Sequence, residues 1–214
     1  MDFINQAIED YCERNTTAES DALKKINRHT HANVLQPRML SGHFQGRFLA
    51  MVSHMIKPKY VLEIGTYTGY SAICLAEGLQ AGGKLITIDV NAELEDLVNY
   101  HISQADMSDK IEHIIGDASE IIHNLNFPFD LVFIDADKPN YPRYYELVMD
   151  KIPSGAFILI DNVLWSGKVV NQKDLDKDKD TQILHSLNES IQIDKRVENI
   201  LLPIRDGLML VRKL

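Results

Sequence analysis

Short apolar segments alternate with longer mixed segments between Tyr60 and Asp161. The apolar segments lie near residues 60–64, 84–89, 111–116, 129–134 and 155–161. Segments of this length and character are typical of strands that are buried on both faces of a parallel sheet. Because the segments between them are long enough for helices, the pattern predicts an α/β fold with helices on both faces of a mostly parallel sheet.

The last part of the chain predicts a different kind of strand pair. Two apolar runs, at residues 197–202 and 208–211, are joined by residues 203–207 alone. Parallel strands require a crossover of a dozen or more residues, so this pair must be antiparallel. Together with the earlier strands, the pair predicts a Rossmann-like, seven-stranded sheet whose last strand is antiparallel.

Apolar residues recur at helical spacing in the chain before residue 56. The three segments with this spacing contain Ile4, Ile8 and Tyr11; Ala22, Leu23 and Ile26; and, in residues 42–55, Phe44, Phe48, Met51, Val52 and Met55. We expect three helices, with the phenylalanines and methionines of the third in the core. Residues 1–55 would form a helical extension of a sheet core at residues 56–214, all within a single domain.

Residues 168–180 contain four lysines and four aspartates and few apolar side chains. This composition predicts a solvated loop, and a lid over a binding site is the alternative.

Composition narrows the class of partner. The 214-residue chain is 45% hydrophobic, which is enough for one buried core, and its net charge of -9 disfavours nonspecific binding of nucleic acid. The two cysteines, Cys12 and Cys74, do not form a CxxC pair, and no stretch approaches the ~20 apolar residues of a membrane span. We therefore expect a cytoplasmic protein that binds small molecules and no membrane.

A glycine-containing turn follows the first predicted strand. Gly65 and Gly69 precede a helix that is predicted to begin near Tyr70, and α/β proteins bind nucleotides at such turns. The spacing matches neither the GxGxxG cradle for a pyrophosphate nor the phosphate loop with its lysine. Glu63, at the strand end, would also repel a phosphate. We therefore expect a ligand without phosphate here, and an NAD-dependent oxidoreductase is the less favoured alternative.

Acidic residues end the next two predicted strands. Asp89 lies where a carboxylate accepts hydrogen bonds from both ribose hydroxyls, and Asp117 lies where a side chain can meet an adenine edge. Together with Glu63 and the glycine turn, they favour S-adenosylmethionine as the cofactor. The simpler alternative is that each aspartate caps the next helix and that the glycines serve only the turn.

A metal site is predicted where two further strands end. Asp135 follows one apolar run, and Asp161 and Asn162 follow the next. If these strands are neighbours, two carboxylates and an amide oxygen meet at one sheet edge. Such oxygens suit Mg²⁺, with Mn²⁺ and Ca²⁺ as competitors, and the eight histidines show no metal-ligand spacing. The alternative for Asp161 and Asn162 is a helix cap or a turn.

Four segments resemble the cation-dependent O-methyltransferases of the catechol and caffeoyl-coenzyme A family. They are residues 62–71 (LEIGTYTGYS), 134–138 (IDADK), 161–165 (DNVLW) and 205–207 (RDG). The resemblance covers nearly the whole chain. It implies the class I methyltransferase sheet, with six parallel strands and an antiparallel seventh, and an S-adenosylmethionine-dependent O-methyltransferase activity that requires a divalent cation.

The resemblance also implies roles for individual residues. The residues that would contact S-adenosylmethionine are Ser41, Glu63, Gly65, Tyr67, Ser71, Asp89, Asp117, Ala118 and Asp135. The metal ligands would be Asp135, Asp161 and Asn162. Asp135 and Lys138 would be catalytic, with Lys138 as the general base. The substrate would lie against Met39, Lys138, Trp165 and Arg205. The alternative for Lys138 is a solvent-facing lysine paired with Asp137.

The expected substrate is a phenolic small molecule of the catechol or caffeoyl type. Animal catechol enzymes of the family carry a substrate-holding carboxylate shortly before the last-strand Asp-Gly, and residues 200–205 contain none. The alternative substrate is a hydroxylated uridine in transfer RNA, which some bacterial relatives methylate and which requires a basic approach to the site. The basic residues to examine are Lys57, Lys59, Arg143, Lys168 and Arg205. Because the family commonly forms dimers, we expect a homodimer.

Overall fold

A computed structural model describes residues 5–214, so the predicted helical residue Ile4 lies outside the described residues. Residues 5–214 form seven β-strands and nine α-helices. The strands are β1 Tyr60–Ile64, β2 Lys84–Asp89, β3 Ile111–Ile115, β4 Leu131–Ile134, β5 Phe157–Asp161, β6 Val197–Leu202 and β7 Leu208–Lys213. The helices are α1 Gln6–Arg14, α2 Asp21–Asn33, α3 Gly42–Ile56, α4 Tyr70–Ala76, α5 Glu95–Gln104, α6 Ala118–Asn124, α7 Tyr141–Met149, α8 Gln172–Leu175 and α9 Lys179–Ile193.

The strands form one sheet in the order β3-β2-β1-β4-β5-β7-β6. Strands β1 to β5 are parallel to one another, whereas β7 pairs antiparallel with both β5 and β6. The predicted strands, the antiparallel pair and the seven-stranded, mostly parallel fold are therefore confirmed. The last strand lies between β5 and β6, so it covers the edge of β5.

Helices bury both faces of the central strands. In β1, Leu62 and Ile64 belong to a cluster that includes Tyr141 of α7 and Leu184 of α9. Val61 points to the opposite face and belongs to a second cluster with side chains of α3, α4 and α5. Because successive side chains of a strand alternate between its faces, burial of both faces requires continuous apolar runs.

The N-terminal helices differ in how they pack. Helix α2 buries Leu23 and Ile26, as the pattern predicts, and α3 ends one residue beyond its predicted end. Helix α1 has no buried residue, and Met51 and Met55 on α3 are 61% and 70% exposed. The expectation that the methionines of α3 lie in the core is therefore wrong, since helical spacing identifies an apolar face but not what covers it.

Residues 168–180 are more regular than their composition suggests. The 3₁₀ segment Trp165–Val170 is followed by α8 and by the start of α9. Asn171 and Asp178 cap these two helices, and the Nζ atom of Lys168 lies 2.9 Å from the Oδ2 atom of Asp178. The prediction of a solvated loop is therefore wrong in part, because side-chain caps can begin a helix where apolar residues are few. The lid role stays a prediction.

Within residues 5–214, none of the helices combines the length and the apolar character that a membrane crossing requires.

Replacing Phe133 tests the packing beneath the site. Phe133 on β4 is fully buried in the cluster with α3, α4 and α5. We expect Phe133→Ala to lower the free energy of unfolding by about 3–5 kcal/mol, because it removes buried apolar contacts and leaves a cavity. Urea denaturation followed by circular dichroism measures this change. The control is Ile193→Ala, an exposed position where a change within about 0.5 kcal/mol is expected; equal losses in both variants would contradict the assigned packing.

Candidate active site

The carboxyl ends of the parallel strands open into a cavity of about 960 Å³. The strand register pairs Ile64 with Ile134, and Ile134 with Ile160. The residues that follow these three positions therefore meet at one edge of the sheet. Of the predicted site residues, all except Glu63 line the cavity: Met39, Ser41, Gly65, Tyr67, Ser71, Asp89, Asp117, Ala118, Asp135, Lys138, Asp161, Asn162, Trp165 and Arg205.

Gly65 lets the turn after β1 pass close to the segment after β4. Its φ angle is +100°, and a Cβ atom at this position would lie 1.9 Å from the carbonyl oxygen of Asp135. The backbone N–H of Asp135 donates a hydrogen bond of 2.9 Å to the carbonyl of Ile64. Any side chain at residue 65 would therefore push apart the two segments that carry the site.

Asp89 organises the same turn. Its Oδ2 atom accepts hydrogen bonds from the backbone N–H groups of Thr66 and Tyr67, at 2.9 and 2.8 Å, and its Oδ1 atom accepts one from Asn91 at 2.9 Å. The hydroxyl of Tyr67 donates to the carbonyl of Leu35 at 2.9 Å. The Asp89 carboxylate therefore fixes the backbone of the turn, and the Tyr67 hydroxyl connects the turn to the segment before α3.

Asp117 caps α6, as the simpler alternative predicts. Its Oδ1 atom accepts a hydrogen bond of 2.8 Å from the backbone N–H of Ser119. Hydrogen bonds from Ser119 also hold the pKa of Asp117 below its usual range. Because Asp89 and Asp117 line the cavity while serving a turn and a cap, the structural and the ligand-binding roles are compatible.

Glu63 lies behind the cavity wall. Its side chain is fully buried, its Oε2 atom accepts a hydrogen bond of 2.6 Å from the hydroxyl of Thr87, and its Oε1 atom has no hydrogen-bond partner. Burial raises the pKa of Glu63 to about 8, although the hydroxyls of Ser71 and Thr87 partly oppose the rise. The unpartnered oxygen leaves one buried acceptor unsatisfied, which is costly.

The predicted metal ligands converge after β4 and β5. Asp161 is buried; its Oδ1 atom accepts a hydrogen bond from the backbone N–H of Asn162 at 2.8 Å, and its Oδ2 atom accepts one from the side-chain amide of Gln45 at 2.7 Å. Burial and the neighbouring charge of Asp135 raise the pKa of Asp161 to about 7. In the described part of the chain, no three His, Cys, Asp or Glu side chains form a potential metal cluster. The third predicted ligand is of another type, the amide oxygen of Asn162.

The side chain of Lys138 contacts two of these predicted ligands, Asp135 and Asn162. Its Nζ atom donates hydrogen bonds to Asn162 Oδ1 at 2.7 Å, to the Tyr141 hydroxyl at 2.6 Å and to the Ala136 carbonyl at 3.0 Å, and it lies 3.4 Å from Asp135 Oδ1. A positive group therefore already bridges two of the three predicted metal ligands. The oxygens of Asp135 and Asn162 are therefore both in contact with a positively charged side chain.

The solvent-facing alternative for Lys138 is wrong. The lysine side chain is only 11% exposed. The Asp137 carboxylate instead accepts hydrogen bonds from the Tyr144 hydroxyl at 2.9 Å and from the Asn140 amide at 2.6 Å. Lys138 instead donates hydrogen bonds to Asn162 and Tyr141 in the site.

Sequence reasoning missed Gln45 and Tyr141. Gln45 contacts Asp161 from α3, and Tyr141 accepts a hydrogen bond from Lys138. Gln45 precedes the buried residues Leu49 and Val52 by four and seven positions, so it interrupts an apolar helix face. A polar side chain on such a face was the signal that could have identified it. No comparable signal marks Tyr141.

The five candidate residues of a basic rim lie at both ends of the sheet. Lys57 and Lys59 precede β1 and so lie at the end opposite the cavity. Lys168 and Arg205 line the cavity, but Lys168 pairs with Asp178, and Arg205 donates hydrogen bonds to the carbonyls of residues 40 and 41 and to Gln45. Arg143 is exposed on α7, and its charge helps to lower the pKa of Asp117, which lines the cavity. Three of the five basic residues therefore lie at the cavity end of the sheet, and two of these three are engaged in contacts within the protein.

Comparisons with known proteins agree with this geometry. A family model described as O-methyltransferase matches residues 13–214. Caffeoyl-CoA O-methyltransferase 1 of Eucalyptus globulus is 35% identical over 179 residues, which cover 79% of this chain and 73% of that protein.

Solved structures are similar over almost the whole chain. An O-methyltransferase from Bacillus cereus in complex with S-adenosylhomocysteine has a TM-score of 0.87 and 29% identity and covers 97% of each chain. A methyltransferase from Podospora anserina bound to S-adenosylhomocysteine has a TM-score of 0.89 and 26% identity, and the match covers 98% of this chain and 94% of that one.

Replacing Glu63 tests the assigned burial. The pKa of about 8 in the folded protein exceeds the usual value of 4.5, so the folded state keeps a proton that the unfolded state releases between these values. Glu63 therefore makes the free energy of unfolding of the ligand-free protein fall as pH rises through this window. Glu63→Gln removes this contribution, so we expect the variant to gain stability relative to the wild type from pH 5 to pH 8.

Urea denaturation at several pH values measures this difference, and contributions from unchanged groups cancel in the comparison. A difference in free energy of unfolding that does not vary with pH would contradict the raised pKa.

Proposed function

This chain is a member of the O-methyltransferase family, and on that premise we propose that it methylates a hydroxyl of a small phenolic molecule of the caffeoyl or catechol type, with a divalent cation at the site. The methyl donor is S-adenosylmethionine. The observation that carries the proposal is the meeting of Asp135, Lys138, Asp161 and Asn162 beside the glycine turn in one cavity. The NAD-dependent alternative is excluded by membership of this family.

Two features of the turn support the assignment of the cofactor residues. Gly65 provides a backbone surface without a side chain, and Glu63, although it does not line the cavity itself, lies beside Ser71, which does. Asp89 would accept from the ribose hydroxyls. The remaining assigned contacts lie on the same cavity wall: Ser41, Tyr67, Ser71, Asp117 and Ala118. Residues 56–214 act as the catalytic core, and residues 1–55 extend it.

The oxygens of Asp135, Asp161 and Asn162 would hold the cation. They fit because oxygen ligands of this kind suit Mg²⁺, and also Mn²⁺ or Ca²⁺, and because the ammonium of Lys138 already lies between two of them. When bound, the cation supplies positive charge that lowers the pKa of the acceptor hydroxyl. Burial and, after it, the neighbouring charge of Asp135 raise the pKa of Asp161, so a positive charge at this site would favour its ionised form.

Lys138 would receive the proton of the acceptor hydroxyl as a neutral amine, so its ammonium must first lose one proton to solvent. Its contacts with the Tyr141 hydroxyl and the Ala136 carbonyl keep Nζ at the edge of the cavity when the oxygens of Asp135 and Asn162 are engaged elsewhere. The deprotonated oxygen then forms a bond to the methyl carbon as the carbon–sulfur bond breaks, which yields a methyl ether and S-adenosylhomocysteine. The protein mainly contributes positioning, because the sulfonium is a good leaving group.

The substrate contacts favour a caffeoyl-type acceptor over a simple catechol. Residues 200–205 contain no carboxylate that could hold the second hydroxyl of a catechol, and the guanidinium of Arg205 is engaged with backbone carbonyls and Gln45. Trp165 lines the cavity as a flat wall, its ring centroid 5.9 Å from Lys138 Nζ, and its buried Nε1 atom has no partner. Met39 lies on the same wall. Transfer RNA is the weaker candidate, since two of the five basic residues lie at the opposite end of the sheet and Lys168 and Arg205 are engaged in contacts within the protein.

Removing one metal ligand tests the proposed chemistry. We expect the purified protein to methylate a caffeoyl ester with S-adenosylmethionine and Mg²⁺, and to lose this activity in excess EDTA. Asp161→Asn removes one ligand charge and should lower kcat/KM by more than about 100-fold, beyond the effect typical of outer-sphere partners. S-adenosylhomocysteine should still bind by calorimetry.

The matched control is Asp150→Asn, which removes the same charge at an exposed position after α7. Wild-type rates in EDTA, or an equal loss in the control, would overturn the metal-dependent proposal.

We also propose that the protein is a cytoplasmic homodimer. The exposed apolar residues Ile8, Tyr11, Met51, Met55 and Ile200 lie on α1, α3 and the edge strand β6, and a second copy would cover such a surface. Both cysteines are free, as is usual in a reducing compartment.

Light scattering coupled to gel filtration should give twice the chain mass, and Met51→Glu combined with Met55→Glu should give the monomer. A wild-type monomer at micromolar concentration would contradict the dimer.

A further inference from the structure

Gln45 is a buried amide between two charged groups. Its side chain is 1% exposed within the apolar face of α3. Its Nε2 atom donates a hydrogen bond of 2.7 Å to Asp161 Oδ2, and its Oε1 atom accepts one of 2.9 Å from Arg205 Nη1. A buried polar group is retained at such a position when its hydrogen bonds are satisfied.

The two partners fix the orientation of the amide. A carboxylate only accepts hydrogen bonds, and a guanidinium only donates them. The NH₂ group of Gln45 must therefore face Asp161, and its oxygen must face Arg205. Rotation of the amide by 180° would break both bonds at once.

Arg205 is itself held in place. It also donates to the carbonyls of Leu40, at 3.3 Å, and of Ser41, both just before α3. Gln45 thus connects the end of β5, the start of α3 and the link between β6 and β7. These three parts of the chain are far apart in sequence.

The carboxylate of Asp161 is restrained at both oxygens. Oδ1 accepts from the backbone N–H of Asn162, and Oδ2 accepts from Gln45. Each carboxylate oxygen has a second lone pair, which remains for a cation. With one donor at each oxygen, the carboxylate cannot rotate freely about its Cβ–Cγ bond.

We propose that Gln45 is a positioning residue for the divalent cation: it holds the Asp161 carboxylate in the orientation that directs its remaining lone pairs towards the metal. This inference rests on the proposed metal-dependent function. Partners that orient a metal ligand typically change metal affinity 10- to 100-fold, because an unrestrained ligand must lose its freedom on binding.

The test measures metal binding rather than activity alone. Mn²⁺ binding to the protein with S-adenosylhomocysteine is followed by electron paramagnetic resonance of the free ion. Gln45→Met keeps the length of the side chain and removes both hydrogen bonds, and Gln45→Asn keeps the amide but shortens its reach. We expect about tenfold weaker Mn²⁺ binding in each, whereas S-adenosylhomocysteine affinity stays within about threefold.

Kinetic measurements should likewise show weaker metal binding with little change in kcat. The metal concentration at half-maximal rate should rise about tenfold, whereas kcat at saturating metal should change by less than about threefold, because excess metal restores the same complex. If Gln45→Met does not fold, the same measurements are made on Gln45→Asn alone. The control is Ser53→Ala, which removes another buried hydrogen bond of α3, from the Ser53 hydroxyl to the Leu75 carbonyl at 2.6 Å.

The outcomes are distinguishable. Weakened Mn²⁺ binding in the Gln45 variants with unchanged binding in Ser53→Ala supports the inference. Wild-type Mn²⁺ affinity in the folded Gln45 variants, or an equal loss in Ser53→Ala, overturns it. A wild-type protein that binds no Mn²⁺ and is fully active in EDTA overturns the metal-dependent function itself, and this inference with it.

Discussion

The backbone leaving β1 passes against the backbone leaving β4 at a distance that no side chain would permit. Gly65 makes this possible, since a Cβ atom there would lie 1.9 Å from the carbonyl oxygen of Asp135. The glycine turn and the segment that carries Asp135 are consequently held together through their backbones. In the proposed function, this contact would set the distance between a methyl donor on the turn and an acceptor at the strand-end oxygens without relying on flexible side chains.

The hydrogen bonds of this edge are largely formed before any ligand binds. Asp89 already holds the turn, Asp117 already caps α6, and Asp161 already has a donor at each oxygen. Groups that are fixed in this way lose little freedom when a ligand arrives, which favours affinity. Among the buried side-chain atoms of the described residues that have no hydrogen-bond partner, the indole nitrogen of Trp165 belongs to a residue that lines the cavity, and an oxygen of Glu63 lies behind the cavity wall.

The sheet was predictable because its strands are buried on both faces, so that burial alone produces continuous apolar runs. The convergence of Asp135 and Asp161 followed from the same fact, since parallel neighbours end at one edge. The exposure of Met51 was not predictable, because helical spacing identifies an apolar face but does not show whether another part of the protein covers that face. The contact between Gln45 and Asp161 joins residues 116 positions apart, and no local pattern encodes such a distance. Helix α8 was missed because a cap, rather than an apolar stripe, begins it.

The position of β7 has a consequence for how the protein is made. The strand that ends in Asp161 pairs on one side with β4 and on the other with β7, where Asp161 lies opposite Leu208. During synthesis on the ribosome, the outer edge of β5 therefore has no native partner until residues 208–213 emerge. An unpaired strand edge can pair with another chain, and pairing over a long sequence separation is slow. The sheet edge that carries Asp161 is thus completed only after β7 has been made, and a chain interrupted before β7 would leave β5 exposed to aggregation.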